Sequence, residues 1–260
     1  MKDFFIIKHA IDKNILININ NEIISEFNHF LSKNENIGGL NSGNINATIG
    51  KHADTLHALL VNSEIFKEAE EFFDISLEDY FLTVGCNLNV PGSVKQHIHS
   101  DTDFEKSIII INIPTVDVNE RNGSTEIYPK TNHQPLSYLK FLLTYSGTPI
   151  RLNTDLGDII IRDSRVWHRG TENLSKDVRP MISFTLAKKT SRVIPDKFQG
   201  AWDPFVLQNT NFPKEIEFLN NWFTHGFLSA TYERVIIKLP FIRSIKRIIF
   251  SVIKPTGSAT

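Results

Sequence analysis

The sequence predicts an α+β protein, mainly β, whose centre is a double-stranded β-helix of jelly-roll (cupin-like barrel) type. Supporting helices precede it and a helical extension follows it. Three observations predict this. Apolar residues recur at 3–4 spacing before about residue 73, which is the helical period. From Tyr80 onward short strand-like runs alternate with turn residues, the signature of an all-β block. After residue 212 helical spacing returns.

In chain order, residues 4–7 read as a short opening strand. Asn20 or Asn21 can cap a helix running through Ile23, Ile24, Phe27 and Leu31. Residues 34–46, rich in Asn and Gly, read as a loop, either a plain connector or a lid. Residues 52–60 and 63–73 read as helices. Residues 80–84 form a strand, with 86–90 a candidate extension, and Pro91-Gly92-Ser93 is a turn. A strand carrying His99 and Asp101 follows. Residues 107–113 are a continuous apolar run, fit for a strand buried on both faces. Asn122-Gly123 is a hairpin signal, and residues 124–128 and 149–152 supply further strands. A strand from Gly157 runs on towards Trp167-His168, and residues 169–177 are dense in turn formers. Residues 179–185 make a strand, with Pro180 tolerated at its start. Residues 213–230 look helical, and Pro240 breaks the chain before a cationic amphipathic helix over 241–254. The domain reading is therefore 1–212 (barrel core about 80–190) and a C-terminal extension, 213–260.

The bulk numbers bound the function. A chain of 260 residues, 41% hydrophobic, suffices for one domain with a sizeable core. A net charge of −1 carries no signature of nucleic-acid binding. The lone Cys86 cannot form an internal disulfide and excludes Cys-rich zinc sites. The first residues lack a signal-peptide core, and no apolar run reaches the roughly 20 residues of a membrane span. These features fit a cytoplasmic protein, with the 241–254 helix packing on the barrel or a partner, or touching an anionic membrane.

The chemistry concentrates at His99-Ser100-Asp101. In an extended strand, residues two apart share a face, so His99 and Asp101 project together. A second, distant histidine would complete the 2-His-1-carboxylate face that holds non-haem Fe(II) and leaves positions open. His168, at the end of the Gly157 strand, is the candidate. If residues 169–177 fold back as a hairpin, Arg179 comes beside His168, where a guanidinium can grip a carboxylate bidentately.

With Pro91-Gly92, Asn122-Gly123, Tyr128-Pro129, Gly157-Asp158, Asn173 and Ser175, these residues resemble the phytanoyl-CoA dioxygenase family of Fe(II)/2-oxoglutarate oxygenases. The resemblance covers roughly residues 80 to 187. It implies the same barrel, with Fe(II) held by His99, Asp101 and His168 and 2-oxoglutarate clamped by Arg179. It also implies that 2-oxoglutarate and O2 are co-substrates, and that succinate and CO2 are released as an unactivated C–H bond is hydroxylated. The substrate class is a small-molecule or lipid-linked metabolite. Asp101 argues against a halogenase, because a halide would need the position that the carboxylate fills. By alignment with the family Asn112, and more weakly Asn87, contacts 2-oxoglutarate; a core asparagine bonded to backbone explains Asn112 equally. Gly170 departs from members with a hydroxyl residue two after the distal histidine.

Around this set, His97 reads either as a substrate neighbour or as a solvated residue. Arg162, Arg165 and Arg169 read as a solvated strand edge or as an anionic-substrate patch, with Arg169 the substrate candidate. Trp167 faces away from His168, towards packing, and Lys130, Asn132 and His133 are candidates for the mouth. The competing function is a cupin-type metal-binding isomerase or binding module that uses no 2-oxoglutarate; Arg179 argues against it.

Overall fold

A computed structural model describes residues 2–33, 43–76, 80–96, 98–102, 104, 108–136, 138–188 and 207–208. The helical extension expected over 213–260, with its 241–254 helix, lies outside them, as does His97. Strand β1 (Phe4–Ile7) leads into α1 (Lys13–Ser32), β2 (Asn44–Ala47), α2 (His52–Asn62) and α3 (Ile65–Phe73). The strand block then runs β3 (Tyr80–Asn89), β4 (Ile108–Pro114), β5 (Thr125–Ile127), the short α4 (Tyr138–Thr144), β6 (Ile150–Leu152), β7 (Ile159–Asp163), β8 (His168–Gly170) and β9 (Arg179–Lys188). A last pair, β10 (Leu207–Gln208), joins β2.

Two sheets face each other. The major one has the order β1-β7-β4-β9-β3-β2-β10 and the minor one β6-β5-β8. Every named pairing is antiparallel. This is the expected jelly-roll framework. Alternation sorts the major sheet into two faces. Leu88, Ile111, Ile161, Ile182 and Phe184 turn outward and form one core with Leu16, Ile23, Leu56 and Ile65 from α1, α2 and α3. Each fully buried aliphatic there contributes about 1.5–3 kcal/mol. The opposite face carries Asn87, Asn89, Arg179, Ser183, Asn112 and Arg162, so these polar residues of largely apolar strands look into the barrel.

Several boundaries differ from the sequence reading. Helix α1 starts at Lys13, capped by the Asp12 carboxylate accepting from Asn14 N at 2.7 Å, and not at Asn20 or Asn21. Its buried stripe is Leu16, Ile19, Ile23 and Phe27, with asparagines on the wet side. Residues 44–46, expected to be loop, belong to β2, where Ile45 and Ala47 are buried. The His99–Asp101 segment is no regular strand: His99 forms an isolated bridge with His168, and Asp101 N donates to Ser164 O. Strand β7 stops at Asp163, and the chain turns before His168 opens β8 in the other sheet. Consequently β8 and β9 are not a hairpin; β9 crosses to the major sheet between β3 and β4. Helix α4 was not foreseen because seven residues are too few to display a helical period. No helix among the described residues is long and apolar enough to cross a membrane.

Candidate metal centre

His99 and His168 sit opposite each other and exchange both backbone hydrogen bonds, at 2.9 and 2.8 Å. This bridge ties the 98–102 segment to β8 and brings the two imidazoles to 4.6 Å between ring centres. Asp101, held by Ser164, adds its carboxylate. Its Oδ1 lies 3.7 Å from His99 Nε2 and 3.5 Å from His168 Nε2. The three ligand atoms all lie within 4.8 Å of one another. An ion with bonds of about 2.1 Å spans ligand atoms up to about 4.2 Å apart, which covers both carboxylate–imidazole separations.

The electrostatics suit that role. His168 Nδ1 is 3.0 Å from the Val166 carbonyl, which can only accept, so Nδ1 carries the proton and Nε2 keeps its lone pair. Burial pushes the His168 pKa down to about 3, so the ring is neutral at physiological pH. Burial works against the charge on Asp101. The Arg162 guanidinium, and after it His168 and His99, outweigh it and hold the carboxyl well below the usual carboxylate range. Two imidazole nitrogens and one anionic oxygen on one face make the donor set that suits non-haem Fe(II).

Arg162 is the partner that sequence reasoning missed. It is 7% exposed, not a solvated edge, because β7 runs inside the sheet between β1 and β4. Its Nη2 contacts Asp101 Oδ2 at 2.7 Å and its Nε donates to Asn112 Oδ1 at 3.1 Å. Asn112 in turn donates through Nδ2 to Ser183 Oγ at 2.7 Å. Asn112 is thus bonded to side chains, not to backbone. The available signal was a charge directly after the apolar run Ile159-Ile160-Ile161, within reach of its burial and so in need of a counter-charge.

Arg179 opens β9 opposite Asn89, on the face shared with Ser183. It is 3% exposed, and its Nε has no hydrogen-bond partner among the described residues. Burial draws its pKa down to about 10, which still leaves it cationic at neutral pH. A buried cation with an unsatisfied N–H fits an anionic ligand group. Asn87, also on this face, bonds Asn46 Oδ1 at 3.3 Å. The end of β3 is tied to the loop before β9 by Asn89, Ser93 and Asn173. Ser93 Oγ bonds Asn89 Oδ1, Asn173 N donates to Ser93 Oγ at 2.9 Å, and Asn173 Nδ2 donates to Asn89 O at 2.9 Å.

Other candidates fall elsewhere. Arg169 lies next to His168 in β8 and so faces away from it. It donates to Glu126 Oε1 at 2.7 and 2.6 Å, a paired role and not one at the mouth. Arg165 pairs with Asp163, and Asn132 is buried on Asp163 Oδ2 at 3.0 Å. Trp167 stacks on Phe141 with ring centres 4.7 Å apart, in a separate core with Tyr128. A Cβ at Gly170 would meet Gln96 Oε1 at 2.9 Å; that oxygen accepts from Gly170 N. A cleft of about 600 Å³ between α1 and the loops around Asp117 and Asp177 contains no histidine, and its donors form no comparable set.

Comparison with known proteins agrees with this geometry. AviO1 from Streptomyces viridochromogenes Tue57 superposes with a TM-score of 0.58 at 15% identity, over 73% of this chain and 91% of that one. The non-haem α-ketoglutarate-dependent carbocyclase SnoK gives 0.56 at 12% identity, over 72% and 80%. The epimerase SnoN in complex with Fe3+, α-ketoglutarate and nogalamycin RO gives 0.53 at 15% identity, over 85% and 86%. At these identities the likeness is one of fold. The family model described as phytanoyl-CoA dioxygenase (PhyH) matches residues 53–181, a span that contains all three converging donors and Arg179. Through that span this chain belongs to the phytanoyl-CoA dioxygenase (PhyH) family.

Proposed function

We propose that the protein is an Fe(II)- and 2-oxoglutarate-dependent dioxygenase that hydroxylates a C–H bond of a small-molecule metabolite. One observation carries the reading: two imidazole Nε2 atoms and one carboxylate oxygen converge in a barrel that also buries Arg179 with an N–H lacking an acceptor. His99, Asp101 and His168 would hold the metal, leaving its other positions on one side for co-substrates. The bound group supplies the oxidation, in which 2-oxoglutarate is decarboxylated to succinate and CO2. The chain's part is to bind, orient and exclude water. Neutral His168 presents its lone pair through the Val166 contact. Arg179 takes the distal carboxylate of 2-oxoglutarate, and Asn87 lies on the same face. Both polar ends of Asn112 are committed, so its role is to support Arg162. The dioxygenase unit is residues 1–212.

The test is anaerobic. Fe(II) and 2-oxoglutarate added to the apo-protein should give a visible charge-transfer band. His99→Ala should abolish it. Arg179→Ala should demand far more 2-oxoglutarate for the same absorbance. Under air, succinate should form. Product mass then reads the outcome: one added oxygen for hydroxylation, loss of two hydrogens for ring closure, no change for epimerisation. A metal-loaded wild type with neither band nor succinate sinks the reading in favour of a cupin-type metalloprotein.

A further inference from the structure

We infer that Arg162 is a positioning residue. Through the chain Ser183–Asn112–Arg162–Asp101 it makes Asp101 a one-oxygen metal ligand and keeps the neighbouring coordination position open for 2-oxoglutarate. The inference rests on the dioxygenase reading of the triad. Its geometry is directional at each link. Ser183 Oγ accepts from Asn112 Nδ2 at 2.7 Å, which leaves Asn112 Oδ1 facing Arg162 Nε at 3.1 Å. A flipped amide would set two donors against each other. The guanidinium, so oriented, takes Asp101 Oδ2 at 2.7 Å. Only Oδ1 is then left for the ion, and Oδ1 is the oxygen that faces both histidine Nε2 atoms. A carboxylate free at both oxygens can instead bind side-on and occupy a second position. The three supports come from three adjacent strands, with Asn112 in register with Ser183 and with Ile160. The ligand's orientation is therefore set by the sheet and not by the irregular 98–102 segment that carries it.

Co(II) is the probe, because its visible spectrum reports coordination without turnover. Wild type should bind one Co(II) per chain, and His99→Ala should lose it. In Arg162→Gln the spectrum of the Co(II) form should change before any 2-oxoglutarate is added. The dissociation constant of 2-oxoglutarate should then rise by about tenfold or more, comparable to the loss in metal affinity or activity when an outer partner of a metal ligand is removed. Arg162→Lys, which keeps the cation but loses the fork, should fall between. Ser183→Ala should shift both readouts in the same direction by less. If the Arg162→Gln spectrum and its 2-oxoglutarate affinity stay within about twofold of wild type, the positioning role is wrong while the triad stands. If wild type binds no Co(II), or binds it independently of His99, the triad reading fails and this one with it. Should Arg162→Gln not fold, unchanged spectra in both Arg162→Lys and Ser183→Ala would overturn the proposal.

Discussion

Asp158 illustrates how far a residue's role depends on what folds over it. In sequence it is the second residue of a Gly-Asp turn. In the structure its side chain is fully buried and accepts from His9 N at 3.0 Å, Asp155 N at 2.9 Å and Lys8 Nζ at 2.6 Å. Gly157 before it adopts φ +99, where a Cβ would meet the Ile11 carbonyl at 2.7 Å. Burial opposes the Asp158 charge, but the Lys8 bond and the two backbone donors outweigh it and lower its pKa. Lys8 is half exposed, so the backbone donors supply most of the stabilisation. Asp158→Asn should cost about 2 kcal/mol at neutral pH, read by urea unfolding. A depressed folded pKa places that contribution above the ordinary carboxylate range, about pH 4, and removes it as pH falls through the folded value. The gap between wild type and variant should therefore close below about pH 4; a constant gap down to pH 2 would show that the carboxylate's charge is not what stabilises the turn. His99 and Asp101 were legible as candidates because they lie two residues apart, and the distant His168 because it follows the Gly157-Asp158 strand in the pattern of the family it resembles. Arg162 was not, since the sequence of β7 does not say which strands flank it.

At the scale of elements, the apolar strands were legible and the crossings were not. Residues 107–113 and the Ile run of β7 reveal burial by composition, and the structure places them at the sheet centre. Turn residues 169–177 looked like a hairpin loop, but a turn-rich stretch says only that the chain reverses, not which sheet it re-enters. Side-chain bonding anchors the entry of β9 into the major sheet: Asn173, fully buried, fastens the loop to Asn89, the residue opposite Arg179. Asn173→Ala leaves the Asn89 and Asp177 carbonyls without that donor and should cost about 1–3 kcal/mol. Because the loop sets where Arg179 begins, 2-oxoglutarate affinity should fall while Co(II) affinity holds. Equal losses of both, measured by titration calorimetry, would mean that the whole barrel has loosened instead.

For the molecule as a whole, the division of labour follows from one sheet with two unlike faces. The helices α1, α2 and α3 cover the outward face of the major sheet, so its strands can be apolar there and polar inside the barrel. That polar interior is costly to bury without ligands, because it encloses Arg162 and Arg179 against one described carboxylate of the triad, Asp101. On the proposed reading a divalent ion would add positive charge, and a dicarboxylate held by the ion and Arg179 would offset it. Binding should therefore appear as stability. At a 2-oxoglutarate concentration of about 100 times its dissociation constant, the Co(II)-loaded fold should gain about 2.7 kcal/mol over Co(II) alone. For a domain near this size that is a rise in Tm of roughly 5–10 °C by calorimetry. Arg179→Ala should keep the increment from Co(II) and lose most of the increment from 2-oxoglutarate, because only the second uses the guanidinium. Loss of both increments would put Arg179 in the scaffold of the barrel. Retention of both would remove it from the co-substrate site, and the buried Nε without an acceptor would then need another ligand to answer it.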